Sequence, residues 1–258
     1  MLLSVVVGVW GVAQLGDVVY IVCQSSSTNI IKFSARTHQR LTDINVKDLI
    51  SPWDIAACEQ TSQLYVADNS ACIWRVSSDR EDIRRWWNRS PSDTFKPWTV
   101  SVTSSRLLVT SYNTKQLMQL DAGGDELRRV ALPDYMYPRH AVESPTGTFL
   151  VSHQTTQLND QCQVSEVNTE GQVVRKFSGS LGLAYHIAVD LQGNIFVVDR
   201  DNRCILLLGA QLALRRVIID EHQLNYKLPC RLCYNEHSGQ LLVGFLSGDV
   251  AVFDVLQR

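Results

Sequence analysis

Two histidines and an aspartate make the best case for chemistry in this sequence. His140 and His186 each follow a large side chain, Arg139 and Tyr185, and each precedes a short apolar run. Asp54 stands in the same setting after Trp53. Two imidazoles and a carboxylate make three ligands, the number a catalytic zinc usually takes from its protein while a fourth position stays open. The set breaks down as a repeated motif, because the matching positions elsewhere hold Gly11, Thr99 and Arg231. His153 is the nearest further imidazole, and an arginine at the same level repels a cation. His140 and His186 are therefore read as polar channel residues bonded to water or backbone, and no metal or other cofactor is expected. Cys230-Arg231-Leu232-Cys233 is a lone CxxC without a second pair and reads as strand. No Ser-His-Asp order, nucleophile elbow or phosphate-binding glycine loop appears. The chain is expected not to be an enzyme. A metal-dependent lyase or hydrolase using His140, His186 and Asp54 stands as an alternative.

The elements that must position these residues repeat. The step recurs as Trp10-Gly11, Trp53-Asp54, Trp98-Thr99, Arg139-His140, Tyr185-His186 and Cys230-Arg231, at intervals of about 41 to 47 residues. Each step opens a short apolar strand, and Pro52, Pro97, Pro138 and Pro229 set the approach to four of them. Second strands follow at Val18–Gln24, Gln63–Asn69, Arg106–Tyr112, Thr148–Gln154, Asn194–Arg200 and Gln240–Leu246, rich in β-branched residues and leucine and bounded by turn residues. This spacing predicts an all-β, six-bladed propeller filling residues 1–258 as one domain, with blades starting near 10, 53, 98, 139, 185 and 230. The sixth blade shows three strands, and residues 2–7 form a strand with no blade of their own. Pairing the two closes the ring and removes an exposed edge.

Blade five contains Ile187-Ala188-Val189-Asp190, Gly193-Asn194 and then Val197-Val198-Asp199-Arg200-Asp201-Asn202-Arg203-Cys204-Ile205. Blade two carries a second copy, Leu64-Tyr65-Val66-Ala67-Asp68-Asn69-Ser70-Ala71-Cys72-Ile73. These segments resemble the NHL repeat, and the other four blades keep only its apolar frame. Asp68, Asn69, Asp199 and Asn202 are read as turn residues whose short side chains bond nearby backbone. Trp53-Asp54 is a WD dipeptide, but it opens a first strand where the WD40 signature closes a third. The kelch pattern is absent. The NHL resemblance implies a domain similar to those of TRIM-type ubiquitin ligases, where the propeller recruits a protein or RNA target. Related propellers include a zinc-dependent amidating lyase and strictosidine-synthase-like hydrolases.

The step residues are expected to meet at one mouth of the central channel. Trp10, Trp53, Asp54, Trp98, Arg139, His140, Tyr185, His186 and Arg231 form the expected partner-binding face, rich in the aromatic and arginine side chains that dominate interfaces. A protein or peptide partner is expected there. The alternative is single-stranded RNA, whose bases stack on aromatic rings. Basic pairs recur on the fourth strands (Arg84-Arg85, Arg128-Arg129, Arg175-Lys176, Arg215-Arg216), where charge guards the outer edge. The formal net charge of −2 carries no global signal for nucleic acid or a membrane surface. The apolar N-terminus is too short to span a bilayer, and no membrane association is expected. Seven cysteines, most of them in apolar runs, point to buried thiols in a reducing compartment. A monomeric cytoplasmic domain is the expectation.

Overall fold

A computed structural model describes residues 2–5, 7–23, 28–79, 82–104, 106–156 and 162–255. Position 6 of the expected closing strand and Gln24 of the expected second strand lie outside the described residues.

The chain opens with β1 (Leu2–Ser4). Blade one is β2 (Val9–Leu15), β3 (Val18–Cys23), β4 (Asn29–Ser34) and β5 (Arg40–Asn45). Blade two is β6 (Pro52–Cys58), β7 (Gln63–Asp68), β8 (Cys72–Ser77) and β9 (Ile83–Asn88). Blade three is β10 (Thr99–Thr103), β11 (Arg106–Ser111), β12 (Gln116–Leu120) and β13 (Glu126–Ala131). Blade four is β14 (Met136–Glu143), β15 (Phe149–Thr155), β16 (Cys162–Val167) and β17 (Val173–Lys176). Blade five is β18 (Ala184–Val189), β19 (Ile195–Asp199), β20 (Cys204–Leu208) and β21 (Leu214–Ile219). The last three strands are β22 (Pro229–Asn235), β23 (Gln240–Phe245) and β24 (Asp249–Asp254), and β1 completes their sheet. All pairings are antiparallel, and β1 sits on β24 with Leu3 opposite Val250. The Val5 amide adds a bond of 2.6 Å to the Gly248 carbonyl. The expected closure by the N-terminal strand is present.

Burial follows blade position. Second strands such as β7 and β19 are buried almost throughout, because both their faces meet neighbouring blades. Fourth strands such as β13 and β21 are mostly exposed, and they carry the basic pairs. Six apolar clusters fill the six blade interfaces. The last of these joins Leu3 of β1 to Val12 and Val19 of blade one and to Leu242 and Val250 of blade six. The ring is thus closed by packing as well as by hydrogen bonds. The outer cations meet local acids, as in Arg36 with Asp17 at 2.9 Å and Arg129 with Asp93 at 2.8 Å. No helix among the described residues is long and apolar enough to cross a membrane.

One irregularity recurs. The pairing of first and second strand slips at Val9/Gly11, Pro52/Asp54, Pro138/His140, Ala184/Ile187 and Pro229/Arg231. Each slip is a bulge at the step that the sequence repeats. A bulge leaves one residue without a cross-strand partner and re-aims its side chain. Trp10, Trp53, Arg139 and Cys230 are the skipped residues, and in blade five both Tyr185 and His186 are passed over. Gly11 is required by a close approach, since a Cβ there would lie 2.6 Å from the Ile55 amide nitrogen of the next blade.

Candidate functional site: the two ends of the central channel

The step residues fall into two layers. Trp10, Trp53, Trp98 and Arg139 are half-buried at the mouth where the inner strands begin. Beneath them lie Asp54, His140, His186 and Arg231, only 1, 2, 6 and 1% exposed. Tyr185, at 9%, lies between the layers. The nine residues expected on one face are brought together, but four of them line the channel interior. At Trp10, Trp53 and Arg139 the residue skipped in the pairing is half-buried at the mouth, and the residue after it is buried.

The outer layer is a continuous aromatic arc. Ring centroids are 4.5 Å apart for Trp10 and Trp53, 4.1 Å for Trp53 and Trp98, and 6.3 Å for Trp10 and Trp98. Tyr112 continues the arc 5.8 Å from Trp98, and Tyr137 lies 5.4 Å beyond it. The Arg139 guanidinium rests over Tyr112 at 5.0 Å and over Tyr185 at 5.8 Å, within cation–π range. The Nε1 atoms of Trp10 and Trp53 are buried without a hydrogen bond. Tyr112 and Tyr137 were not among the expected face residues. Their signal was an aromatic at a strand end and another just before the Pro138 step.

The inner layer is a buried polar cluster. Arg231 donates from Nη2 to the Trp53 carbonyl at 3.1 Å, from Nη1 to its neighbour Cys230 at 3.0 Å, and from Nε to the Trp10 carbonyl. One side chain thereby ties blades six, one and two. Its charge faces Asp54, whose Oδ1 is 3.6 Å from Nε, while Asp54 Oδ2 accepts from the Val100 amide at 3.1 Å. Burial pushes the Asp54 carboxyl above its ordinary range, and Arg231 opposes that push. Burial holds both imidazoles well below the ordinary histidine value, with His186 adding to the effect on His140 and Arg231 to that on His186. Thr99, at the matching position of blade three, bonds Thr110 at 2.6 Å and the Arg139 carbonyl at 3.1 Å.

Asp54, His140 and His186 offer ligand atoms within 4.8 Å of one another. The two imidazoles are stacked, with centroids 3.6 Å apart and planes inclined by 22°. A metal bound by two imidazoles lies in the plane of each ring at about 2.1 Å. Nearly parallel stacked planes do not meet at that distance, and the carboxylate is already bonded. As placed, the three residues do not form a coordination shell: Asp54 and His140 accept from the backbone amides of Val100 and Ile187, and His186 lies 3.9 Å from Asp54. His153, the further imidazole, is fully buried elsewhere and bonds Ser165 Oγ at 2.9 Å.

The two aspartates of the repeat anchor turns. Asp68 accepts from the Ser51 amide at 2.8 Å, the Ile50 amide at 3.3 Å and Ser70 Oγ at 2.5 Å. Asp199 accepts from the Gly182 and Leu183 amides at 3.0 and 3.2 Å and from Asn202 Nδ2 at 2.7 Å. Each carboxylate holds the loop that leads into its own blade's first strand. The Asn69 amide donates to the Ser51 carbonyl at 2.9 Å. Ser111 does a similar job in blade three, accepting from the Lys96 amide at 3.2 Å.

No family model matches the sequence, and no curated protein matches it. Among solved structures, the chain is similar to the WD40 β-propeller domain of Doa1, at 14% identity and a TM-score of 0.69, covering 100% of this chain and 96% of that one. It is also similar to a chain of the nidogen/laminin complex, at 16% identity and a TM-score of 0.68, covering 84% of this chain and 82% of that one. A WD40 propeller thus shares the backbone of a chain that lacks the WD40 signature, because blade packing tolerates many sequences. At these identities the likeness is one of fold, and the fold of this chain is a six-bladed β-propeller.

Proposed function

We propose that the chain is a protein-interaction module that receives a peptide or loop on the tryptophan mouth of its channel. The aromatic arc carries this reading. Three indoles and two phenols in mutual contact, flanked by Arg139, are the side chains that dominate interface energetics. Large rings already held by their neighbours lose little conformational freedom when a partner binds. The narrower reading is a substrate-recruiting NHL-type domain of a ubiquitin ligase in the cytoplasm, and its support is the pair of repeats in blades two and five. The RNA alternative loses ground. Arg231 bonds carbonyls beneath the arc and faces Asp54, so its charge is withdrawn from the surface where phosphates would lie.

The test is affinity capture with the folded domain, comparing wild type with Trp53→Ala/Trp98→Ala and with Arg139→Ala. Partners recovered by wild type are expected to drop at least ten-fold with the double variant and several-fold with Arg139→Ala. Circular dichroism confirms that each variant keeps its sheet content. Full retention of every partner by a folded double variant would overturn the proposal.

A further inference from the structure

The inner strands end at a second mouth. A cavity of about 570 Å³ runs from solvent there down to His140 and His186, a volume typical of small-ligand sites. Much of its wall is apolar, with Val12, Ile55, Val100, Val142 and Ile187 along the shaft. Four carboxylates line it, those of Glu59, Glu143, Asp190 and Glu236, and among the described residues no lysine or arginine does. They come from four blades, each at or just past the end of an inner strand. Glu143 and Asp190 are each 7% exposed, so negative charge is set into the wall as well as along the rim. Arg106 reaches Glu143 at 2.7 Å, and His237 lies 3.3 Å from Glu59. Asp190 bonds its own turn, and Glu236 accepts from the Leu191 amide.

The floor supplies an independent observation. His186 is more than nine-tenths buried, and its Nδ1 is enclosed without a hydrogen-bond partner. Its Nε2 lies 3.9 Å from Asp54 Oδ2, too far for a hydrogen bond. A buried polar nitrogen left unpaired is costly, and a bound donor would recover that cost. With its proton on Nε2, an imidazole held neutral by burial offers a lone pair at Nδ1 and adds no charge to repel a cation.

We infer that this funnel binds a primary ammonium or guanidinium group carried on an aliphatic stem. The carboxylates attract the cation, the stem lies along the apolar shaft, and one N–H is donated to His186 Nδ1. Such a group has two sources, the side chain of a lysine or arginine in a peptide and a free aliphatic amine. The site is separate from the tryptophan mouth and does not depend on what binds there.

The test is calorimetric titration of the full chain at low salt with four probes. These are acetyl-Gly-Lys-Gly-amide, acetyl-Gly-Arg-Gly-amide, the uncharged acetyl-Gly-norleucyl-Gly-amide and spermidine. At least one cationic probe is expected to bind, with the norleucine peptide at least ten-fold weaker. A peptide that outbinds spermidine assigns the site to a protein partner, and the reverse order assigns it to a free amine. Glu59→Gln/Glu236→Gln, at two exposed positions, is expected to weaken binding about five-fold, a loss that salt reproduces in wild type. Binding is also expected to move the His186 ring ¹⁵N resonances of the wild-type protein, a readout that needs no variant in the core. Failure of all cationic probes, equal binding of the norleucine peptide, an unaffected double variant or unmoved His186 resonances would each overturn the inference.

Discussion

At the mouth where the inner strands begin, Trp10 packs edge to face on Trp53 and Trp98, whose rings are inclined by 32° with centroids 4.1 Å apart, and a buried arginine lies against Trp10. At the mouth where the same strands end, the channel opens into an acid-lined funnel of about 570 Å³. Both ends are built by the same six strands, so the backbone alone does not account for the difference. Part of the difference lies in the bulge. At the start of five inner strands the pairing skips a residue and re-aims a side chain, and Trp10 and Trp53, skipped in this way, join Trp98 of the regular third blade to fill the mouth. At the far end the pairing is regular, and acidic side chains stand at or just past the ends of four strands. One end is thus suited to presenting a surface, and the other to enclosing a ligand.

The sharpest way to break this comparison is to remove the arginine beneath the indoles. Arg231→Met leaves Asp54 buried without its cation and frees the carbonyls of Trp10 and Trp53. The expected loss is about 3–5 kcal/mol in urea unfolding, the range for breaking a buried ion pair on one side. A loss below 1 kcal/mol would mean that Arg231 fills space and does not tie the blades.

A middling effect is expected on acidification, and it tests whether the core beside the channel is held neutral. Burial brings His153 from 6.5 down to about 4. Its native value lies below the unfolded one, so the unfolded chain takes up the proton first as pH falls. Its contribution is full above about 6.5, drains away down to about 4 and then levels off, on the order of 3 kcal/mol in all. His140 and His186 act in the same direction. Thermal melts across this window should show a falling limb that is shallower in His153→Gln. A variant limb as steep as that of wild type would count against the assignment.

The smallest effect belongs to the funnel rim. Glu59→Gln/Glu236→Gln alters exposed carboxylates that carry no core packing, and stability should change by no more than about 0.5 kcal/mol. A much larger loss would mean that the rim braces the ring and does not merely line a site.

Much of this architecture was legible before any coordinates. Trp10, Trp53 and Trp98 marked three blade starts, and Asp68 and Asp199 marked two repeats whose turns they hold. The site was legible in part. Tyr112 and Tyr137 were hidden because they fall outside the repeated step. The funnel was overlooked, although Glu59, Glu143, Asp190 and Glu236 recur just where inner strands end. Their spacing was visible, but nothing local says that four carboxylates so far apart face one axis.

The sequence by itself determined the six-fold repeat, the strand pattern and the closing segment. Those are periodic and local properties, set by alternating burial and turn chemistry. Only the tertiary structure decided which residue of each step faces solvent and which faces the channel, because a bulge shifts that alternation at one position. It also decided the company Arg231 keeps, since its carbonyl partners in blades one and two lie 221 and 178 positions away. Convergence on an axis joins residues whose separation along the chain carries no signal of their contact.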